Sequence, residues 1–146
     1  MNKMNNKILL VEDQIITAAP IISKLKNAGY DVYYVFNGEA AVSIIDHGVN
    51  IDLMVMDIDL GSGICGITAS TLINAISKIP VLFFTSHPEN YIISRIGKIP
   101  YAGYLSKKSS AELFIKTVKN IFHPVKDNRI RLAAEDRFSG LISGRN

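Results

Sequence analysis

Four places along the chain carry groups that could do chemistry together. They are the adjacent acids Glu12 and Asp13, the carboxylate Asp57, the hydroxyls Thr85 and Ser86, and the amine Lys107. Each follows a short apolar run: Ile8-Leu9-Leu10-Val11, Leu53-Met54-Val55-Met56, Val81-Leu82-Phe83-Phe84, and the stretch Tyr101–Ser106. Carboxylates gathered in one small pocket repel by about 1–4 kcal/mol per pair at a separation of roughly 4 Å. They need a proton or a cation. All-oxygen ligation with few protein ligands and open water positions suits Mg²⁺. A bound cation beside a carboxylate and a lysine makes an electrophilic clamp for a phosphoryl group. The carboxylate can itself be the nucleophile and form an aspartyl phosphate. A Thr or Ser hydroxyl can then donate to one phosphoryl oxygen while Lys107 pairs with another.

Each residue also has a plainer explanation. Glu12 and Asp13 suit a helix start, where the macrodipole favours acids. Asp57 could cap a turn, Thr85 could be a β-branched strand residue, and Lys107 with Lys108 could be a solvated pair. His47, His87 and His123 give no metal spacing, and His87 reads as a solvated loop histidine.

The elements that must position these groups follow from the pattern. Strands are expected at Lys7–Glu12, Asp31–Phe36, Leu53–Asp57, Pro80–Ser86 and Tyr101–Lys107. The runs without polar alternation suit strands buried on both faces. Helices are expected at Ile15–Ala28, Glu39–Asp46, Ile67–Ser77, Pro88–Ile96 and Ser109–Phe122. In the first, Ile16, Ile22 and Leu25 mark the apolar side, Pro20 bends the helix or delays its start, and Gly29 takes the left-handed cap. In the last, Ser109 and Glu112 have capping-box spacing. Five strands alternating with five helices imply an α/β, doubly wound parallel sheet with right-handed crossovers. Such a sheet collects its strand C-termini on one edge, where ligands bind. Acid, acid, hydroxyl and amine then meet there.

Composition narrows the alternatives. A chain of 146 residues with 48% hydrophobic and 20% charged residues suits one domain with a sizeable core. The formal net charge of +3 gathers partly in the tail (Lys126, Arg129, Arg131, Arg137, Arg145) and is too small for a nucleic-acid footprint. The lone Cys65 excludes an intramolecular disulfide and a cysteine-rich zinc site. No apolar run has the length of a membrane span or the makeup of a signal peptide, so a soluble cytoplasmic protein is expected.

In order and spacing, Val11-Glu12-Asp13, Met56-Asp57-Ile58-Asp59-Leu60, Gly66, Phe84-Thr85-Ser86 and Gly103-Tyr104-Leu105-Ser106-Lys107 resemble the receiver domain of two-component response regulators. The resemblance covers residues 6–123, with 124–146 left as a linker or tail. It implies a flavodoxin-like sheet with strand order 2-1-3-4-5. It implies phosphorylation of Asp57 by a histidine kinase or phosphotransfer protein, in a signalling domain rather than an enzyme. Asp13 and Asp57 would bind Mg²⁺ directly, Glu12 through water, and Asp59 through its backbone carbonyl. Thr85 and Lys107 would hold the phosphoryl group, and Tyr104 would be the aromatic switch that follows Thr85. A homodimer through the fourth helix, fifth strand and fifth helix is a further implication; nucleic acid and membrane are not expected partners.

Two departures stand out. Lys108 replaces the proline, in a cis bond, that usually follows the family's lysine, so the loop is either rearranged or strained. Gly61 replaces a common proline in a loop one residue longer. Asp59 adds a carboxylate two residues after the nucleophile, where it could orient or repel an attacking water and so tune dephosphorylation. The rival from another class is a haloacid dehalogenase-type phosphatase, with Asp57 as nucleophile and Asp59 as acid–base. Its remaining acidic pair would follow the lysine, whereas Glu12-Asp13 precede the nucleophile. In the tail, Ala134-Glu135-Asp136-Arg137-Phe138 resembles the helical lead-in to PAS sensor domains; a solvated terminal helix reads it equally well.

Overall fold

Apolar runs without polar alternation fold here as strands buried on both faces. The computed structural model describes residues 4–124. Its strands are β1 (Lys7–Val11), β2 (Asp31–Val35), β3 (Leu53–Met56), β4 (Val81–Thr85) and β5 (Gly103–Ser106). The helices are α1 (Ile15–Asn27), α2 (Gly38–Asp46), α3 (Gly66–Ile76), α4 (Glu89–Ile96) and α5 (Ala111–Phe122). Every strand pairing is parallel, and the order is β2-β1-β3-β4-β5, as expected. The order reverses between β1 and β3, so a crevice opens beyond their carboxyl ends.

The pleat sorts the core into two layers. Leu9, Val11, Met54, Met56 and Phe83 pack with Ala41 and Ile45 of α2, Ala69 and Ile73 of α3, and Ile92 and Ile96 of α4. Ile8, Leu10, Leu53, Val55 and Leu82 alternate with them and are also buried. Phe84 meets Phe114 with ring centroids 5.0 Å apart, and both line a groove with Pro20 and Ile21 of α1. The chain falls into two compact units, Met1–Ile115 and Lys116–Asn146. The first carries the whole sheet, α1 to α4 and the start of α5. In the second, the helical residues described are 116–122, the rest of α5. The expected lead-in helix at 129–142 lies outside the described residues.

Most element ends move by a residue or two; β5 is the largest change, at four residues instead of seven. Two helix expectations change in substance. The buried stripe of α1 is Ala18, Ile21 and Leu25, while Ile16 is 86% exposed. The small Ala18 lets α1 lie close to the sheet and so sets the stripe, although larger apolar residues sit beside it. Pro20 neither delays nor ends the helix. It leaves only the carbonyl of Ile16 without its helical donor, and that residue faces water. The cap of α5 is Ser110, whose Oγ accepts from the Leu113 N–H at 3.1 Å. Ser109 instead donates its N–H to the Ser106 carbonyl at 2.9 Å and closes the preceding turn. Gly29, at φ +97°, ends α1 as expected.

Gly66 fixes how α3 meets the sheet. Its N–H donates to the Ile58 carbonyl at 2.9 Å, and a Cβ there would run into the Asp57 carbonyl oxygen. The start of α3 therefore rests directly on the strand end that carries Asp57. Gly66→Ala should cost roughly 1–3 kcal/mol of stability by overpacking, measured as a lower urea midpoint; an unchanged midpoint would mean that this backbone yields freely.

Candidate functional site

The candidate residues are held by the sheet itself. The ladder continues one residue past three strands: Glu12 N–H donates to Val35 O at 3.2 Å, Asp57 N–H to Val11 O at 3.1 Å, and Lys107 N–H to Thr85 O at 3.0 Å. Their Cα positions are thus as fixed as the strands. Tyr34 adds a bond from its hydroxyl to the Glu12 carbonyl at 2.7 Å.

At the centre, the Lys107 ammonium lies 2.6 Å from Asp57 Oδ2 and 2.8 Å from Glu12 Oε2. The other Asp57 oxygen, Oδ1, accepts from the Ile58 N–H at 2.7 Å. Glu12 and Asp57 are 1% and 3% exposed, and Asp13 is exposed. Burial pushes the Glu12 carboxyl up to about 7; the Asp57 charge adds to the rise, and Lys107 opposes it. Burial pulls Lys107 down, but its bonds to Asp57 and Glu12 outweigh that and hold its ammonium above the usual lysine range. One lysine therefore leaves the pocket with surplus negative charge.

Glu12, Asp13 and Asp57 can each place one oxygen within 4.8 Å of the others. This hard, all-oxygen set, open to water on the side of Asp13, fits a divalent cation such as Mg²⁺. An open cavity of about 330 Å³ lies over them, lined by Asp13, Asp57, Asp59, Ser86 and Lys107 among others.

The remaining expected residues are distributed less simply. Thr85 is fully buried, and its Oγ1 accepts from the His87 N–H at 3.3 Å; of the two hydroxyls it is Ser86, just past β4, that lines the cavity. Tyr104, half-buried, donates its hydroxyl to the His87 carbonyl at 2.8 Å. The Asp59 carboxylate, the acid–base of the phosphatase alternative, is engaged by His87 Nε2 at 2.9 Å. His87 is therefore not the solvated histidine expected; its ring also stacks on Tyr91. The partner lies 28 residues away, beyond the reach of local spacing.

The two departures resolve structurally. The loop after Lys107 is rearranged, with no cis peptide among the described residues. Lys108 donates its N–H to Ser106 Oγ at 3.2 Å, a bond proline could not make. The longer loop after β3 is clasped from α2: Glu39 Oε1 accepts from the Ile64 N–H at 2.7 Å. Gly63, at φ +94°, lies so close that a Cβ would collide with that carboxylate. In the sequence Glu39 marks only the first residue of the expected second helix.

The family model of the response regulator receiver domain matches residues 8–119. A probable transcriptional regulator, ycf29, of Pyropia yezoensis is 29% identical over 120 residues, which cover 81% of this chain and 54% of that protein. The phyllosphere-induced regulator PhyR of Methylorubrum extorquens is 27% identical over 106 residues, covering 72% of this chain and 39% of that protein. The chain thus spans about half or less of these relatives. The N-terminal domain of a response regulator/sensory box/GGDEF protein from Carboxydothermus hydrogenoformans superposes with a TM-score of 0.74 at 36% identity, covering 80% of this chain and 93% of that one. No helix among the described residues is long and apolar enough to cross a membrane.

The raised Glu12 value has a thermodynamic consequence. Between the usual 4.5 and about 7 the folded chain holds a proton that the unfolded chain has lost. Stability from this group is complete below the lower value and falls as pH rises through the window. In metal-free buffer, the parent should lose up to about 3 kcal/mol relative to Glu12→Gln across that range. Urea unfolding of both proteins measures it; a difference that does not vary with pH would return Glu12 to its ordinary value.

Proposed function

This chain belongs to the response regulator receiver domain family of two-component signalling, and we propose that Asp57 is its phosphoacceptor, with a histidine kinase or phosphotransfer protein as donor. The observation that carries this reading is the Lys107 ammonium seated between Asp57 and Glu12 beside the three-carboxylate cluster. A carboxylate oxygen of Asp57 attacks phosphorus and displaces the donor's imidazole nitrogen, which leaves with its electron pair. The Ile58 N–H orients the carboxylate for that attack. Asp13, Asp57 and Glu12 would hold Mg²⁺, with the Asp59 backbone carbonyl as a further ligand. Bound there, the cation neutralises charge on the phosphoryl oxygens. Lys107 turns from Asp57 to the transferred group. Thr85 joins it by donating its hydroxyl hydrogen to a phosphoryl oxygen, and Tyr104 follows Thr85.

Asp59, a residue of the cavity lining, tunes the lifetime of the phosphoryl group by acting on the attacking water. The domain spans residues 6–123 and works as a signalling module with only self-phosphotransfer and slow self-dephosphorylation. Residues 124–146 are a linker or tail, and their resemblance to the lead-in of PAS domains makes a further domain one reading of them. The Carboxydothermus protein, whose description places sensory box and GGDEF regions in the same chain, gives a precedent for such an arrangement. The parent reading frame decides this point: a stop codon directly after Asn146 would remove it.

Acetyl phosphate with Mg²⁺ should add one phosphoryl group to the parent and none to Asp57→Asn, read by intact mass. Small phosphate esters should not be turned over. Asp59→Asn should change the phosphoryl half-life several-fold, and an equal half-life would dismiss the tuning role. A parent that gains no phosphoryl group and gives no response to beryllofluoride would refute the phosphoacceptor assignment.

A further inference from the structure

His87 is held from four sides. Its Nε2 lies 2.9 and 3.0 Å from the two oxygens of Asp59, and since a carboxylate only accepts, that nitrogen carries the hydrogen. Its ring stacks on Tyr91 of α4 with centroids 4.1 Å apart and planes inclined by 21°. One turn on, Arg95 lays its guanidinium over the Tyr91 ring, 3.5 Å from the centroid. The other two contacts are backbone: the N–H to Thr85 and the carbonyl from Tyr104.

Asp59 lines the cavity above Asp57 and Lys107. The run Asp59–His87–Tyr91–Arg95 therefore starts in the pocket and ends on the outside of α4. That helix has few other attachments. Its buried residues are Ile92 and Ile96, and Glu89 accepts from the Tyr101 hydroxyl at 3.2 Å. A short helix with two buried side chains shifts at low cost, so the ring stacked at its first turn is a large share of what fixes it.

We infer that His87 is a positioning residue that couples α4 to occupancy of the pocket, and that its side chain, not its backbone, makes the link. This rests on the phosphoacceptor reading. A phosphoryl group on Asp57 brings anionic oxygens into the cavity that Asp59 lines. The Asp59 carboxylate shifts in response, and the imidazole pinned between it and Tyr91 shifts with it. The bonds from Thr85 and Tyr104 form a second route between the same places. Truncating the side chain removes the first route and leaves the second.

The test is a titration of the full chain with beryllofluoride and Mg²⁺, followed by amide NMR, on the parent, His87→Ala and Tyr91→Leu. In the parent, the amides of Asp57 and Lys107 and those of residues 89–96 should all shift. In both variants the pocket amides should shift as before, while the α4 shifts fall by about half or more. Full α4 shifts in His87→Ala, or pocket shifts without α4 shifts in the parent, would overturn the coupling alone. No shift anywhere in the parent would remove the phosphoacceptor reading, and the coupling with it.

Discussion

The contact on which the rest of the site depends is the Lys107 ammonium between Asp57 and Glu12. Two buried carboxylates cannot stand side by side uncompensated, and removing one partner of a buried pair is costly because it strands the other. The compensating charge comes from β5, at one end of the sheet, and Glu12 follows β1, three strands away across β4 and β3. The electrostatics of the pocket therefore exist only once the sheet is assembled in its 2-1-3-4-5 order. The same compensation is incomplete, since Glu12 remains well above the usual carboxylate range. An edge left with surplus negative charge is ready to receive a cation.

The loops around this edge are held by side chains reaching across the fold. Glu39 clasps the loop after β3 from α2, and Ser106 receives the N–H of Lys108 in the turn after β5. Each device matches a departure from the family pattern. The longer loop with Gly61 and Gly63 obtains an external acceptor for its N–H, and the turn without proline obtains a hydroxyl. The position of Lys107 follows from the ladder bond of its own N–H, which does not depend on the residue that follows it.

The strand ends were legible because a parallel sheet buries both faces of its strands, leaving continuous apolar runs that stop where the chemistry begins. Glu12, Asp57 and Lys107 could be placed on one edge from that pattern alone. The α1 stripe was less legible, since Ala18 carries too little hydrophobicity to stand out beside Ile16 and Ile22. Ser109 and Ser110 offer the same cap chemistry one residue apart, and the turn from Ser106 decides between them. The contacts of Glu39 with Ile64 and of His87 with Asp59 join residues far apart in sequence, so packing, rather than any local period, creates them.

The ladder bonds that run past β1, β3 and β5 also divide this edge by stability. The amides of Glu12, Asp57 and Lys107 each donate to the carbonyl of a neighbouring strand, Asp57 at the centre of the sheet and Lys107 at its β5 edge. Asp57 and Lys107 keep these bonds although both border an open cavity. The Asp57 carboxylate is thus mounted at the end of the central strand β3. Motion at this edge is left to the clasped loops and to α4, which can rearrange around Asp57 while it stays in place.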